Sequence, residues 1–524
     1  MTCPNPQTLP ISPFAPVVPL FLAPADSDLQ VFLKEAHALI ESSPEVLTAI
    51  DADLDAHALR KKTLRVTDAL WLAQRTGQLA GVEESAQGRG EPSELQQGRP
   101  RTPAYVVLMA LLLRGFLGAG FKDCDATSRM LESITLQVFF TNLGLKMPGR
   151  STLTELTNAV RNETRGLVLD AQLAQALRLR LDDFSTMLQD STHVAGNTEW
   201  PTDSGLMVSL VTRLLRVGRT LDRVKLPVTE SAEAQGLLQE MTRLDREIAF
   251  SVGRKDGKRF RRRRYQKLMK KAKEVHQLLT DLVEPLDGKL AALDIRPSHK
   301  ALATRAVERF RSDLDALVTV LSACEARVVH EKKVSIDEKV LSLSDADAGF
   351  ISKGQRDPVI GYKPQVARSG NGFITGLLLP KGNAPDSHQL LPMVDEVRAR
   401  TKVTPNVVSV DDGYASAANM RGLAPFDMDV VSINGAKGRA LTDRADWNSD
   451  EYADARNLRS AVESLMFTLK QGFEFGRVAR RGLVPAYAEL LEKVLAYNLC
   501  QLARLGRAAA AKAAGEGEPT AAAA

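Results

Sequence analysis

The order of short apolar segments after residue 187 limits the possible fold more than any other feature. A strand-like segment, MLQDSTHVAGN, begins at Met187, and the patterns of residues 206–344 are then helical almost throughout. Strand-like sequence returns at Pro358, where VIGYKPQVARS and GFITGLLLPKG flank Gly370 and Asn371 as in a hairpin.

Helical and strand-like segments continue to alternate after the hairpin. A helix over residues 386–401, a short strand VVSVDD over 407–412, a short helix over 415–423 and the strand DVVSING follow in that order. This order predicts an α/β fold, in which a mixed sheet carries helices on its faces and a large helical insert (206–344) interrupts it.

The N-terminal part of the chain is predicted to be helical over residues 29–180. Residues 1–28 are rich in proline and are expected to form an extended arm, and residues 82–102 have the composition of a linker. The loop LKMPGR joins two amphipathic helices, which are equally consistent with a DNA-reading helix-turn-helix and with an ordinary bundle. The Ala-, Gly- and Glu-rich tail, residues 501–524, is expected to be disordered.

Composition indicates a soluble globular protein of several domains. Of 524 residues, 44% are hydrophobic and 25% are charged, and no run of 18 apolar residues predicts a membrane span. The N-terminus has no basic residue before Lys34, which makes it a poor secretion signal. The four cysteines are scattered, so we expect neither zinc nor disulfides, and a cytoplasmic location.

Positive charge is concentrated in residues 254–273. Twelve Lys or Arg and one Asp give this segment 12 − 1 = +11, so the rest of the chain sums to 5 − 11 = −6. Phe260 and Tyr265 lie within it, and the combination favours a nucleic-acid partner over a merely solvated helix face. The candidate DNA-binding residues are Arg261, Arg262, Arg263, Arg264, Lys267, Lys270 and Lys271.

A second charged helix is predicted over residues 456–470. At 100° per residue, Arg456, Arg459 and Lys470 share one stripe with Glu463. Such a stripe is either a solvated ladder of ion pairs or a metal ligand whose neighbours bind phosphate.

Three acids have positions that suit chemistry. Asp190 lies on the first strand, Asp411 ends a buried strand, and Glu463 lies on the charged helix. Three converging carboxylates repel one another unless a hard divalent cation neutralises them, and Mg²⁺ or Mn²⁺ suits oxygen ligands. Two such ions can promote the cleavage of a phosphodiester.

These segments resemble those of DDE-class insertion-sequence transposases. DSTHV…WPTDSGLM resembles the first-aspartate block and SVDDGYASAANM the second, whose register selects Asp411. RSAVESLMFTLK resembles the Y-(2)-R-(3)-E-(6)-K signature of one group, with Arg456 in place of the tyrosine. The resemblance covers roughly residues 98–205 and 345–500.

The resemblance implies a ribonuclease-H-like catalytic domain (181–205 and 345–500) that cuts and joins DNA. Asp190 would bridge two metal ions, while Asp411 and Glu463 would each hold one. Water would attack at the terminal inverted repeats, and the freed 3′-hydroxyl would then attack target DNA. Arg459 and Lys470 would hold backbone phosphates, and two paired ends would require a homodimer or larger assembly. The alternatives are a nuclease of the same fold without strand transfer and a catalytically silent DNA-binding protein.

Secondary candidates have simpler interpretations. Asp412 is expected to cap a helix or to contact a metal ligand, although it is the alternative metal ligand to Asp411. Thr202 or Asp203 is expected to cap the helix that follows, and Asp203 is favoured as a cap over a ligand. Trp200 is expected to anchor a core rather than stack on a base, and His193 to be structural or to contact a metal ligand. An acidic run is expected to form a solvated loop, with one member as a substitute for Glu463 if the helix phase is wrong; its residues are Asp446, Asp450, Glu451 and Asp454.

Overall fold

The computed structural model describes most of the chain, and its residues divide into two compact units. The described residues are 28–76, 101–118, 123–224, 226, 232–251, 256–336, 338–352 and 357–513. The first unit takes residues up to 57, 101–197 and those from 347 onwards, and the second takes 58–100 and 198–346. The predicted arm and most of the predicted 82–102 linker lie outside the described residues.

In the described part of the chain, seven helices precede the first strand. They are α1 (Asp28–Glu41), α2 (Pro44–Thr76), α3 (Ala104–Leu117), α4 (Asp123–Glu132), α5 (Ile134–Asn142), α6 (Arg150–Ala159) and α7 (Asn162–Arg178). Helix α3 is apolar on nearly all sides and is buried accordingly. The predicted helices over this region are confirmed, although Ser133 and Val160 divide two of them into pairs of shorter helices.

Eight strands in the described residues form two sheets. They are β1 (Thr186–Ser191), β2 (Val194–Ala195), β3 (Gly349–Ile351), β4 (Val359–Tyr362), β5 (Gln365–Arg368), β6 (Ile374–Leu378), β7 (Val407–Val410) and β8 (Val430–Ile433). The larger sheet has the order β6-β5-β1-β7-β8, and the smaller has the order β2-β4-β3.

The larger sheet is mixed, as the sequence predicts. Strand β1 is antiparallel to β5 and parallel to β7, which is parallel to β8. This topology confirms the α/β class and the ribonuclease-H-like sheet, and β5 and β6 confirm the hairpin. The single strand predicted over VIGYKPQVARS is wrong, because Lys363 and Pro364 divide it between the two sheets. Proline has no N–H to donate to a ladder, so it favours such a break.

Among the described residues, the second unit contains the end of α2 and five further helices, which have a core of their own. They are α8 (Asp203–Arg223), α9 (Ala232–Ala249), α10 (Gly257–Val283), α11 (Leu286–Ala292) and α12 (Pro297–Cys324), and a π-helical turn follows at Glu325–Val329. Leu210, Leu268 and Phe310 are fully buried in this core. Thr202 caps α8 by accepting a hydrogen bond from the Gly205 amide at 3.1 Å, as one of the two predicted caps.

Seven helices complete the first unit. They are α13 (Leu390–Thr401), α14 (Ala417–Leu423), α15 (Ala436–Leu441), α16 (Arg444–Trp447), α17 (Asp450–Asn457), α18 (Arg459–Gly472) and α19 (Leu483–Ala513). No helix in the described part of the chain combines the length and apolar character needed to cross a bilayer.

Three expectations about this C-terminal region are wrong. The helix predicted over 456–470 is divided at Leu458, because α17 packs against β8 whereas α18 packs against β1. The acidic run is helical rather than a loop, since its residues lie on α16 and α17, although its acids are exposed. Helix α19 extends through the predicted tail as far as Ala513, because buried Leu502 and a run of alanines favour helix.

Close packing between α3 and α19 holds the N-terminal helices against the C-terminal part of the first unit. A Cβ atom at Gly115 would lie 2.0 Å from the carbonyl oxygen of Glu492, so only glycine permits this approach. Leu188 of β1, Leu111 of α3 and Leu495 of α19 belong to one continuous core. The strand ends described next are therefore fixed by a large packed scaffold.

Candidate active site at the strand ends

Strand register brings Asp190 and Asp411 to neighbouring positions. Strands β1 and β7 run parallel, and Leu188 is paired with Ser409. Asp190 and Asp411 each lie two residues beyond that pair, at the carboxyl ends of adjacent strands. Neighbouring strands are about 4.8 Å apart, so the two residues are close together. The convergence expected for these two acids requires the first strand and the VVSVDD strand to be neighbours, and β1 and β7 are neighbours.

Both acids are on the side of the sheet that faces α18. Leu188 packs in the same core as Val462 and Leu465 of α18, whereas Met187 packs in the core on the opposite side. Side chains two residues apart on a strand point to the same face, so Asp190 follows Leu188. Helix α18 carries Glu463, and it packs directly against β1.

The two carboxylates have different surroundings. Asp190 is 8% exposed, and its Oδ1 accepts a hydrogen bond from the Ser191 amide at 2.7 Å. Asp411 follows the end of β7, and its Oδ1 accepts from the Gly413 amide at 2.9 Å. The carboxylate of Asp412 accepts from the Lys437 and Gly438 amides in the first turn of α15, whose N-cap residue is Gly435.

A third carboxylate, Asp386, lies beside this pair, and sequence reasoning missed it. A Cβ atom at Gly413 would be 3.0 Å from Oδ1 of Asp411 and 3.4 Å from Oδ2 of Asp386. The other oxygen of Asp386, Oδ1, is 2.9 Å from Nζ of Lys363 and accepts a hydrogen bond from Gln365 at 2.7 Å. The segment KGNAPDSHQLLPMV resembles transposase sequence, but only the fold shows that its aspartate reaches the strand ends.

Tyr414 lies in the negative electrostatic field of the three acids. Its pKa is raised well above the usual value, first by burial and then by the negative charges of Asp386, Asp190 and Asp411. The phenol therefore stays protonated, and it donates a hydrogen bond to Oε1 of Gln365. Negative potential from three carboxylates at one sheet edge is what a divalent cation would neutralise.

Glu463 faces solvent rather than joining the other acids. Its side chain is 58% exposed and forms an ion pair with Arg459 at 3.2 Å, one turn earlier on α18. Among the residues that the structure describes, no three His, Cys, Asp or Glu side chains lie close enough to hold a metal ion. The oxygen-only pair of Asp190 and Asp411 fits a hard cation, but the predicted third ligand does not complete a cluster in this structure.

The basic residues of the charged helix are placed in two groups. Arg459 and Lys470 lie on α18 with Glu463, on the predicted stripe, because Lys470 is two turns beyond Glu463. Arg456 instead lies on α17, and its guanidinium is 5.6 Å from the centre of the Trp447 ring. The prediction that Arg456 shares one helix with Glu463 is therefore wrong.

The basic segment forms the first half of α10 in the second unit. Its apolar residues, including Leu268 and Ala272, are buried, while Arg263 and Lys267 are exposed. Two acids of α9 form ion pairs with basic residues of this surface. Glu247 pairs with Arg264 at 2.7 Å, and Glu240 pairs with Lys271 at 3.4 Å. Acids of α9 therefore neutralise part of the positive charge that the sequence shows in residues 254–273. The other candidate DNA-binding residues of this segment lie in the same helix; they are Arg261, Arg262 and Lys270.

The structure shows the surroundings of three secondary candidates. Asp203 forms an ion pair with Arg327 at 3.0 Å, and burial raises its pKa more than Arg327 lowers it. Trp200 is 57% exposed, so the expectation of a core anchor is wrong. His193 is half-buried between β1 and β2.

Comparison with known families places this site in context. Residues 313–499 match the family described as transposase DDE domain; the match begins within α12 and ends within α19. Asp411 and Glu463 lie inside the matched range, and Asp190 precedes it. No curated protein and no solved structure matches the chain. Proteins of this family act on DNA, and DDE transposases generally depend on divalent metal ions. Over residues 313–499 the chain is therefore similar to the DDE domain of transposases, which supports the resemblance to DDE-class insertion-sequence transposases.

Proposed function

We propose that this protein is a transposase, which cleaves phosphodiester bonds at the ends of its element and joins the freed ends to target DNA. The observation that carries the proposal is the position of Asp190 and Asp411 at the carboxyl ends of adjacent parallel strands. Open α/β sheets bind ligands at such ends, and two oxygen-only side chains there suit a hard cation.

We propose Asp190, Asp411 and Glu463 as the residues that hold two Mg²⁺ or Mn²⁺ ions. Two such ions, when bound, activate the attacking water and stabilise the leaving oxygen of the phosphodiester. Asp190 is fixed in β1, and Asp411 is fixed by its hydrogen bond to the Gly413 amide. Glu463 is exposed on α18, the helix that packs against β1, and we propose that it leaves its ion pair with Arg459 to join the other two when the ions bind.

The basic residues are proposed to hold the DNA backbone. Once Glu463 turns away, Arg459 is able to form a bidentate contact with phosphate, and Lys470 lies two turns along the same helix as a point charge. The exposed face of α10, with Arg263 and Lys267, supplies sequence-independent attraction for the duplex. Since two ends must be brought together, we propose that the active form is a homodimer or a larger assembly.

A cleavage and joining assay distinguishes this proposal from its two rivals. The purified full chain is incubated with Mg²⁺, labelled DNA carrying the inverted repeats that flank its gene, and a target plasmid. Cleavage at the repeats with joining to the plasmid is the expected result. Cleavage without joining supports a nuclease of the same fold. Binding without cleavage supports a silent DNA-binding protein and contradicts the proposal.

A further inference from the structure

A basic pocket lies in the second unit, between the start of α10 and the π-helical turn after α12. Its volume is about 570 Å³, and its charged lining residues are Lys258, Arg259, Arg261, Arg262, Arg327 and Glu331. These side chains carry five positive charges and one negative, which gives a net charge of +4. The walls come from segments that are more than 50 residues apart in sequence, so the fold assembles this pocket.

The π-helical turn gives the pocket its shape. At the end of α12 the amide of His330 bonds to the carbonyl of Glu325, five residues earlier, which widens the helix at this point. Glu331 then adopts a left-handed backbone with φ of 53°, which is uncommon for a residue other than glycine. Arg262 donates to the carbonyl of Val329 at 2.8 Å and so ties α10 to the turn.

The single acid in the pocket, Glu331, occupies the position that we expect an anion to take. A carboxylate oxygen of Glu331 is 3.4 Å from Nζ of Lys258 and 3.9 Å from Nη1 of Arg262. Two cations from α10 thus converge on one carboxylate that is itself 58% exposed. A phosphate would carry more charge than this carboxylate and has oxygens for several such donors.

The remaining lining is apolar and aromatic, and the volume exceeds what a phosphate alone needs. Tyr265 and Val328 complete the wall. Pockets of about 300–1,000 Å³ typically enclose whole small ligands rather than single ions. An aromatic ring beside several cations provides a stacking surface for a base and charge for its phosphate.

We propose that this pocket binds one nucleotide, with its phosphate on the arginines of α10 and its base against Tyr265. The nucleotide comes either from a DNA strand, in which case the inference rests on the DNA-binding function proposed above, or from the free nucleotide pool. Binding requires no divalent ion, so it can be measured separately from cleavage.

The test compares two double variants of the full chain in buffer without divalent ions. Arg259→Gln with Arg261→Gln removes two charges from the pocket. Lys289→Gln with Arg305→Gln removes two exposed charges from α11 and α12, outside the pocket, and serves as the matched control. Affinities are measured by fluorescence anisotropy for a labelled oligothymidylate and by calorimetry for thymidine monophosphate, thymidine and inorganic phosphate.

We expect the pocket variant to lose about tenfold in affinity and the control no more than about threefold. An effect confined to the oligothymidylate identifies a DNA strand as the source, and an effect on thymidine monophosphate as well identifies free nucleotides. Equal losses in the two double variants would overturn the proposal, because they would indicate diffuse charge alone. Equal affinities for thymidine monophosphate and inorganic phosphate would overturn the role of Tyr265.

A single substitution tests the same site with the opposite sign. Glu331→Gln removes the carboxylate that competes for Lys258 and Arg262, so we expect about threefold tighter binding of the nucleotide probe. Weaker binding by this variant would contradict the inference. Circular dichroism of all variants establishes that the helices remain folded.

Discussion

Replacing Glu492 with glutamine should destabilise the first unit more than any surface charge change. Glu492 is 2% exposed and is bound by three arginines. Its carboxylate lies 2.6 Å from Arg480, 3.0 Å from Arg165 and 3.5 Å from Arg114. These arginines come from α3, from α7 and from the segment before α19, so Glu492 links four parts of the unit.

The magnitude follows from the pKa of this carboxyl group. Burial alone would raise the pKa, but Arg114, Arg480 and Arg165 outweigh burial and lower it from 4.5 to about 2. A difference of about 2.5 units at 1.36 kcal/mol per unit corresponds to about 3 kcal/mol. Removing one partner of a buried ion pair typically costs about 3–5 kcal/mol, so Glu492→Gln should lower the free energy of unfolding by a similar amount.

Denaturation across pH provides the measurement. Since the pKa of Glu492 is lower in the folded state, its stabilisation is fully present above pH 4.5 and is lost as the pH falls towards 2. Urea unfolding followed by circular dichroism should therefore show a constant difference in the free energy of unfolding between the native chain and Glu492→Gln from pH 7 to 5. This difference should become smaller at lower pH.

The control is Asp395→Asn, which breaks an exposed pair with Arg398 and should cost about 0–1 kcal/mol. The account of the buried charge cluster would be refuted if Glu492→Gln were no more destabilising than this control. It would also be refuted if the difference in unfolding free energy between the native chain and Glu492→Gln increased as the pH fell.

Two further predictions concern the sheet. Asp182→Ala should cost about 1–3 kcal/mol in the same unfolding assay, because Asp182 is buried and accepts hydrogen bonds from Ser369 and Asn371 in the β5–β6 turn; unchanged stability would contradict this. Asp386→Asn should lower cleavage about 10- to 100-fold and raise the Mg²⁺ concentration needed for half-maximal rate, because Asp386 lies beside Asp411 and its negative charge adds to the attraction for a cation at the strand ends. An altered rate with an unchanged Mg²⁺ dependence would limit Asp386 to a structural role.

Local pattern predicted the elements that local forces determine. The strand-like pattern from Met187 located β1, and the short apolar run before Asp411 located β7. The phase of α18 was predicted correctly, since Leu465 and Leu469 are buried while Glu463 is exposed. These features depend on residues within one or two turns of each other, which a single sequence displays.

Other features depend on contacts between distant segments, so the sequence did not display them. Asp386 reaches Asp411 only because the chain returns to the sheet edge. The acids that pair with α10, Glu240 and Glu247, lie on a different helix, and the counter-charge could not be counted from residues 254–273 alone. The break at Leu458 arises because α17 and α18 pack against different strands, although nothing in the intervening sequence interrupts a helix.

Substitution of Asp190 with cysteine tests the central claim most directly. A thiolate is a poor ligand for Mg²⁺ but a better one for the softer Mn²⁺, so a true metal ligand changes the metal requirement rather than merely the rate. The account predicts that Asp190→Cys has no end cleavage in Mg²⁺ and recovers measurable cleavage in Mn²⁺, while Asp395→Cys behaves as the native chain in both. Cleavage by Asp190→Cys in Mg²⁺ at the native rate would contradict the assignment of the strand ends as the catalytic centre.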